Sequence, residues 1–315
     1  MAKKQPTRAQ EPLLFIDTNI FLDFYRVRND AGISLLSRID KLHARIITTC
    51  QVEMEFKKNR QRVINESVAG LKAPEITLAT PAFLSGAKTV TKLKARIKDV
   101  QKRVKRLQER TLATLQNPKT HDLIYQTTQR LFTDPATLNL RRDSKDYPQV
   151  WSKALRRFLE GRPPRKADDT SAGDAINWEW IVLCIERAER DVIVVSRDAD
   201  YGLTLDGKGY ANDWLTEEFR ARAGKKRKLI LVDRLSAALK LVDIKVTPAE
   251  VTSESNVLKL RRRLAVPQLS RSGFSSEQQI ITYRDEWPQE EPPEWPPQQD
   301  EPPEQEEPPE QEEPH

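Results

Sequence analysis

Three runs of four apolar residues, LLFI at 13–16, VIVV at 192–195 and LILV at 229–232, constrain this chain more than any other feature. They are too short to be read as helices and show no polar alternation, so they read as strands buried on both faces, the habit of a parallel sheet covered by helices. A segment with helical three- and four-residue spacing is expected after each run, which gives the βα rhythm of an α/β fold. ARIITT at 44–49 supplies a fourth strand candidate over 45–49 and leads into QVEMEFKKNRQRVI, read as a helix. The first run ends on a carboxylate, in LLFIDTN. Asp17 there is either a helix N-cap, accepting from free backbone N–H groups, or a functional group at the carboxyl edge of the sheet, where ligands gather.

The other junctions bear on that choice. Glu55 lies in the helix after the second strand, Asp174 begins the helical segment GDAINWEW, and Asp198 follows the strand in VIVVSRDAD. Each acid has a local explanation: Asp174 can cap, Asp198 can make an Asx turn, and Glu55 can pair with Lys58 or Arg60. A shared position relative to a parallel sheet is harder to explain by capping, because such junctions lie on one edge. Carboxylates brought together there oppose each other's ionisation unless a counter-charge is present. A hard divalent cation with oxygen ligands, Mg²⁺ or Mn²⁺, meets that need. Histidine chemistry has little support, since His43, His121 and His315 lack partners in the sequence, and neither phosphate-binding glycine motif occurs.

Charge distribution points to the partner. Only 37% of the 315 residues are hydrophobic, and the stretch from Asp285 to His315 holds 13 acidic residues and 10 prolines without one Lys or Arg. Such composition predicts a disordered tail with polyproline character. Residues 1–284 keep all 53 basic residues against 34 acidic ones, a formal charge of +19. A body that basic suits a polyanion, nucleic acid first, with the acidic tail covering the basic surface in cis. Within it, Val90, Leu93, Ile97, Val100, Val104, Leu107 and Leu115 predict a long basic amphipathic helix over 88–115, paired as a hairpin with 121–132. No buried strand is expected between Arg62 and Arg165. Further helices are expected over 148–160, 174–190 and 248–265, the last ending in the basic cluster Arg261 to Arg263. Cys50 and Cys184 read as small core residues in a reducing compartment. The basic start MAKKQPTRAQ lacks the apolar segment of a secretory signal and no run is long enough to span a bilayer, so a cytoplasmic location without membrane contact is expected.

FIDTNIFLDFYR, QVEMEFKKNRQ, RFLEGRPPRKADDTSAGDAINWEW and VIVVSRDADYG together resemble, in order, the successive motifs of the PIN domain superfamily, in a bacterial branch with a long helical insertion. The resemblance implies a three-layer α/β/α sandwich around a parallel sheet and a metal-dependent nuclease, with RNA ahead of DNA as substrate. It makes Asp17, Glu55, Asp174 and Asp198 the acidic site, and Asn19 and Ser196 its polar support. Glu53 competes with Glu55, and Asp200 with Asp198. Glu53 and Glu55 face different sides of a helix, and EFKKNR is the family-like string, which favours Glu55. Arg157, Arg162, Arg165 and Lys166, ahead of Asp174, are candidates for holding a substrate phosphate, Arg by bidentate contact. The expected organisation is a flexible 1–12, a PIN-like domain over 13–245 with its insertion at about 62–165, a C-terminal helix and linker over 246–284, and the acidic tail over 285–315. Two other classes stand beside this one: a PIN-fold binding or scaffold protein without turnover, and a haloacid-dehalogenase-type phosphatase. The latter wants a second Asp two residues after Asp17, where Asn19 stands.

Overall fold

A computed structural model describes residues 11–72, 76, 78–165, 171–205 and 207–265. The chain runs β1 (Leu13–Ile16), α1 (Thr18–Asp23), α2 (Asp30–Asp40), β2 (Ile46–Thr49), α3 (Cys50–Val68), α4 (Lys88–Gln116), α5 (Pro118–His121), α6 (Leu123–Thr133), β3 (Leu138–Leu140), α7 (Tyr147–Leu159) and α8 (Gly173–Ala188). It continues with β4 (Val192–Val195), β5 (Gly202–Leu205), β6 (Lys208–Ala211), α9 (Asp213–Ala223), β7 (Leu229–Val232), α10 (Leu235–Leu241) and α11 (Pro248–Ala265). The sheet has five parallel strands in the order β3-β2-β1-β4-β7. The chain builds outward from β1 in one direction and then in the other. Right-handed crossovers therefore put α2 and α6 on one face and α7, α8 and α9 on the opposite one. α10 and α11 complete the first face, α11 lying along α2.

The first two apolar runs become the central strands β1 and β4, and the third becomes the edge strand β7, whose first two residues are only partly buried. Residues 13–16 and 192–195 are all within 1% of complete burial, as unalternating runs between two helical layers should be. Register then sets the carboxyl edge. Ile16 lies opposite Val195, which lies opposite Val232, and the ladder continues as the Asp17 N–H donates to the Val195 carbonyl (3.0 Å) and the Ser196 N–H to that of Val232 (3.1 Å). Asp17, Ser196 and Asp233 thus leave the sheet side by side.

Three expectations are corrected. Residues 138–140 form a strand, β3, on the free side of β2; at three residues and with a half-exposed start it carries too little apolar signal to be seen in sequence. β4 is followed by an antiparallel hairpin, β5–β6, and only then by a helix. Gly209 lets that hairpin lie flat on β7, since a Cβ there would fall 1.9 Å from the Leu231 carbonyl oxygen. The helical hairpin is also different from the one expected. α4 buries no residue, whereas α6 buries Ile124, Leu131 and Phe132 against the body. α4 is an exposed arm with ten Lys or Arg and two acidic residues. Its root is fixed by Arg60 of α3. That buried guanidinium reaches Asp122 (2.7 Å), the Tyr25 hydroxyl (3.0 Å) and the Thr114 carbonyl (2.7 Å), between the rings of Tyr25 and Tyr125.

The opposite flank is tied by two buried glutamates of α11. Glu250 accepts from Ser34 (2.6 Å) and Arg38 (2.8 Å) of α2 and from the Thr247 N–H (2.6 Å). Glu254 accepts from the N–H groups of Leu235 and Ser236 and so caps α10 from outside. The tail over 285–315, Lys166 and the first ten residues lie outside the described residues. Among the described residues, no helix is long and apolar enough to cross a membrane.

Candidate active site

Asp17 stands where an N-cap of α1 would, with extended backbone, yet its side chain makes no capping hydrogen bond. It turns to the sheet edge, 95% buried, where its Oδ2 accepts from Asn19 Nδ2 (2.8 Å) and from the Ser196 hydroxyl of the neighbouring strand end. Ser196 Oγ in turn accepts from the Asp198 N–H (3.1 Å) and shapes the turn after β4. Thr18, the next residue, donates its hydroxyl to Glu55 Oε2 (3.1 Å), while Gln51 one turn earlier on α3 donates to Glu55 Oε1 (2.7 Å). Glu55 therefore reaches the edge through hydrogen bonds and pairs with neither Lys58 nor Arg60. Glu53 faces the other way and is held by Lys57 (2.6 Å).

The electrostatics link the acids. Burial, the nearby Asp198 carboxylate and, less strongly, Glu55 push the Asp17 carboxyl up to about 7 despite the Ser196 hydroxyl and the Thr18 N–H, which favour its charged form. Tyr201, buried against Phe15, has its phenol raised far above its ordinary value, first by burial and then by Asp174, Asp17, Asp198 and Glu55. One side chain thus lies in the field of all four predicted acids. Asp198 is the acid of its turn that acts on both Asp17 and Tyr201. Asp200 sits partly buried two residues further on.

Tyr201 and three supporting residues escape the sequence reading. Thr18 and Gln51 orient Glu55, and Gly173 makes room for Gln51: a Cβ there would lie 2.4 Å from Gln51 Nε2. The signals are weak, a Thr inside DTN, a Gly before Asp174 and a Tyr after DAD, each with ordinary structural uses.

The three described basic candidates before Asp174 have partners of their own. Arg157 is buried in an ion-pair network, with Nε and Nη2 donating to Glu179 Oε1 (2.9 and 2.8 Å) and Nη2 also to Glu218, so it serves packing of α7 on α8 and α9 and cannot meet a phosphate. Arg162 pairs with Glu160 (2.6 Å) near the Trp214 ring, and Arg165 covers the Phe158 ring and donates to its carbonyl.

Among the described residues, no three His, Cys, Asp or Glu side chains are gathered closely enough to hold a metal ion as they stand. Asp17 and Glu55 spend oxygen atoms on Asn19, Ser196, Thr18 and Gln51. The donor set nevertheless fits a hard divalent cation. It is built of oxygens, Asn19 Oδ1 beside Asp17 is buried without a hydrogen-bond partner, and the strain of adjacent negative charge in the Asp17 carboxyl is what a cation relieves.

No curated protein and no solved structure matches the chain significantly. A family model described as PIN domain matches residues 14–201, which spans β1 to the end of the turn holding Asp198 and Tyr201. PIN domains have a nuclease-type fold, and their nucleases as a group use divalent metals. With a family match over more than half its length and a five-stranded parallel sheet flanked by helices, this chain belongs to the PIN domain family.

Proposed function

We propose that the protein is a metal-dependent endonuclease that hydrolyses phosphodiester bonds in nucleic acid, RNA ahead of DNA, with Asp17, Glu55, Asp174 and Asp198 as its acidic site. The observation that carries this reading is the arrangement at the carboxyl edge, where Asp17 accepts from Asn19 and Ser196, the neighbouring Thr18 holds Glu55, and Ser196 accepts from the Asp198 N–H; Asp174 joins these three acids in raising the buried Tyr201 phenol. Mg²⁺ or Mn²⁺, when bound there, would supply the charge that activates a water and stabilises the leaving oxygen. The chain's own residues do the positioning. Ser196 and Asn19 fix the direction of the Asp17 carboxylate, and Thr18 with Gln51 fix Glu55. The apolar ends of β1 and β4 keep water from behind them. The exposed basic arm α4 offers a track for a polyanion away from the acidic edge.

Asp17→Asn should abolish Mn²⁺-dependent cleavage of single-stranded RNA while the circular dichroism spectrum stays that of the wild type. Unchanged cleavage overturns the assignment. A PIN-fold nucleic-acid-binding or scaffold protein without turnover has one observation on its side, the lack of a ready-made metal group among the described residues. Wild-type binding with no cleavage in Mg²⁺ or Mn²⁺ would select it.

A further inference from the structure

A cavity of about 400 Å³ adjoins the acidic edge, walled by Ser196, Arg197 and Asp198 after β4, by Leu203 and Thr204 of β5, and by Arg261 of α11. Its size is that of a small-ligand site. Two of its walls, β5 and α11, lie outside residues 14–201, which match the PIN family model. Asp233 also lines the cavity, and its carboxylate leans toward Arg234 (3.7 Å).

Arginines gather beside the cavity. Three guanidiniums, from Arg26 (3.2 Å), Arg197 and Arg261 (3.4 Å), converge on the single buried carboxylate of Asp23, and Glu66 offers Arg26 a second partner (3.0 Å). Glu66 is shared with Arg62 (2.5 Å), and Asp198 and Asp233 bring two carboxylates to the cavity wall beside Arg197 and Arg261. Arg197 is committed further, since its Nε donates to the Asp233 carbonyl (2.9 Å). Among the described residues, Arg261 pairs at 3.4 Å with Asp23, and 36% of its side chain is exposed. Its helix is tied to α2 and α10 through Glu250 and Glu254. A guanidinium at the mouth of a cavity is suited to a phosphate.

The hairpin adds a second kind of contact. Leu203 and Tyr210 are cross-strand partners on the outer face of β5–β6, and they remain 63% and 49% exposed. The Lys208 ammonium lies 5.6 Å from the Tyr210 ring centroid. An exposed aromatic with a basic neighbour is the stacking platform that single-strand binders use, because an unpaired base presents a free π-face. Bases inside a duplex are already stacked and paired, and cannot use it.

We propose that this cavity and the adjoining hairpin face form a subsite for one nucleotide of a single-stranded nucleic acid beside the bond to be cleaved, Arg261 taking its phosphate and Leu203 with Tyr210 taking its base. The subsite rests on the nuclease reading for its place beside the scissile bond. It names the residues, outside the acidic site, that would hold that strand.

The test is fluorescence anisotropy of the full-length protein in EDTA, so that nothing is cleaved, with labelled mixed-sequence single-stranded RNA, single-stranded DNA and a duplex over a series of salt concentrations. Arg261→Ala should weaken single-strand binding about five- to tenfold and reduce the salt slope by about one. Tyr210→Ala should weaken it about fivefold with the slope unchanged, Tyr210→Trp should restore it, and neither Tyr210 variant should alter duplex binding. Both side chains are partly exposed, so the variants should fold, and circular dichroism checks that they do. Wild-type affinity for single strands in either alanine variant overturns the proposal, as does an equal loss for the duplex. Cleavage in Mn²⁺ separates the two readings. A wild type that cleaves while the variants bind normally defeats the subsite alone; one that binds through Arg261 and Tyr210 but never cleaves defeats the nuclease and leaves the subsite standing.

Discussion

Two buried carboxylates in this molecule have opposite fates. Glu250, in the seam between α2 and α11, is desolvated, yet hydrogen bonds from Ser34, Thr247 and Arg38 outweigh that and hold it down to about 2. Asp17, at the carboxyl edge of the sheet, is desolvated too, but its neighbours include Asp198 and Glu55, and it rises to about 7. The first is a structural group whose surroundings satisfy its charge. The second is kept at a cost to the fold, and unrelieved like charge in a cleft is a mark of function more than of architecture. The seam should therefore weaken when its acid is removed, and the edge should strengthen.

The largest effect is expected at the seam. Glu250→Ala strands the Arg38 guanidinium and the Thr247 N–H, and should cost about 3 kcal/mol at pH 7 by urea denaturation. Linkage gives the pH window. The folded carboxyl sits near 2 and the unfolded one near 4.5, so the contribution is present above 4.5 and fades as pH falls toward 2. Wild type and variant should converge across that range. A difference below about 1 kcal/mol at pH 7 would break the contrast.

At the edge the sign reverses. Asp17 has a folded value near 7 against 3.8 in the unfolded chain, so its contribution is favourable below 3.8 and is lost as pH rises through 7. Asp17→Asn in EDTA at pH 8 should stabilise the protein by roughly 2 kcal/mol, a gain that disappears near pH 4. Mn²⁺ should raise the melting temperature of the wild type and leave the variant unmoved. Equal stability of the two proteins at both pH values would show that the edge carries no strain.

The same contrast explains what was legible in the sequence. β1 and β4 were visible because burial on both faces forbids polar residues, β7 because its run is apolar although its first half is only partly buried, and α4, α8 and α11 because apolar spacing is a local signal. Asp17, Asp174 and Asp198 could be picked out because each follows a strand or opens a helix, and Glu55 because it lies in the helix that follows β2. β3 was not legible, since an edge strand of three residues has neither run nor alternation. The β5–β6 hairpin was hidden by expecting a helix after every strand, although its strands are two residues apart around Asp-Gly. Arg157 misled for another reason: its partners, Glu179 and Glu218, lie 22 and 61 residues away, and only the packed fold reveals them.

A smaller effect on stability, but a visible one on rate, is expected at Gly173. Its missing Cβ is the space that Gln51 uses to reach Glu55. Gly173→Ala should cost less than about 1 kcal/mol, because Gln51 can swing away and alanine favours the helix, while cleavage falls about tenfold as Glu55 loses its donor. Single-turnover rates in saturating Mn²⁺ check this. A variant as fast as the wild type would mean that Gln51 does not position Glu55.

The smallest effect belongs to the arm, which is neither seam nor edge. Leu107 on α4 is 48% exposed, and no residue of that helix is buried. If the arm is held only by its root at Arg60, Leu107→Ala should change stability by no more than about 0.5 kcal/mol, the range of ordinary surface substitutions. Leu93, Val100 and Leu112 share that exposure, so each should behave alike. The measurement carries more than a null result, because apolar residues recurring along one helix are also what a second chain would cover. A loss above about 2 kcal/mol that depends on protein concentration would place the stripe inside an oligomer, and the contrast between a satisfied seam and a strained edge would then need a third region whose acids and apolar groups are completed by another copy.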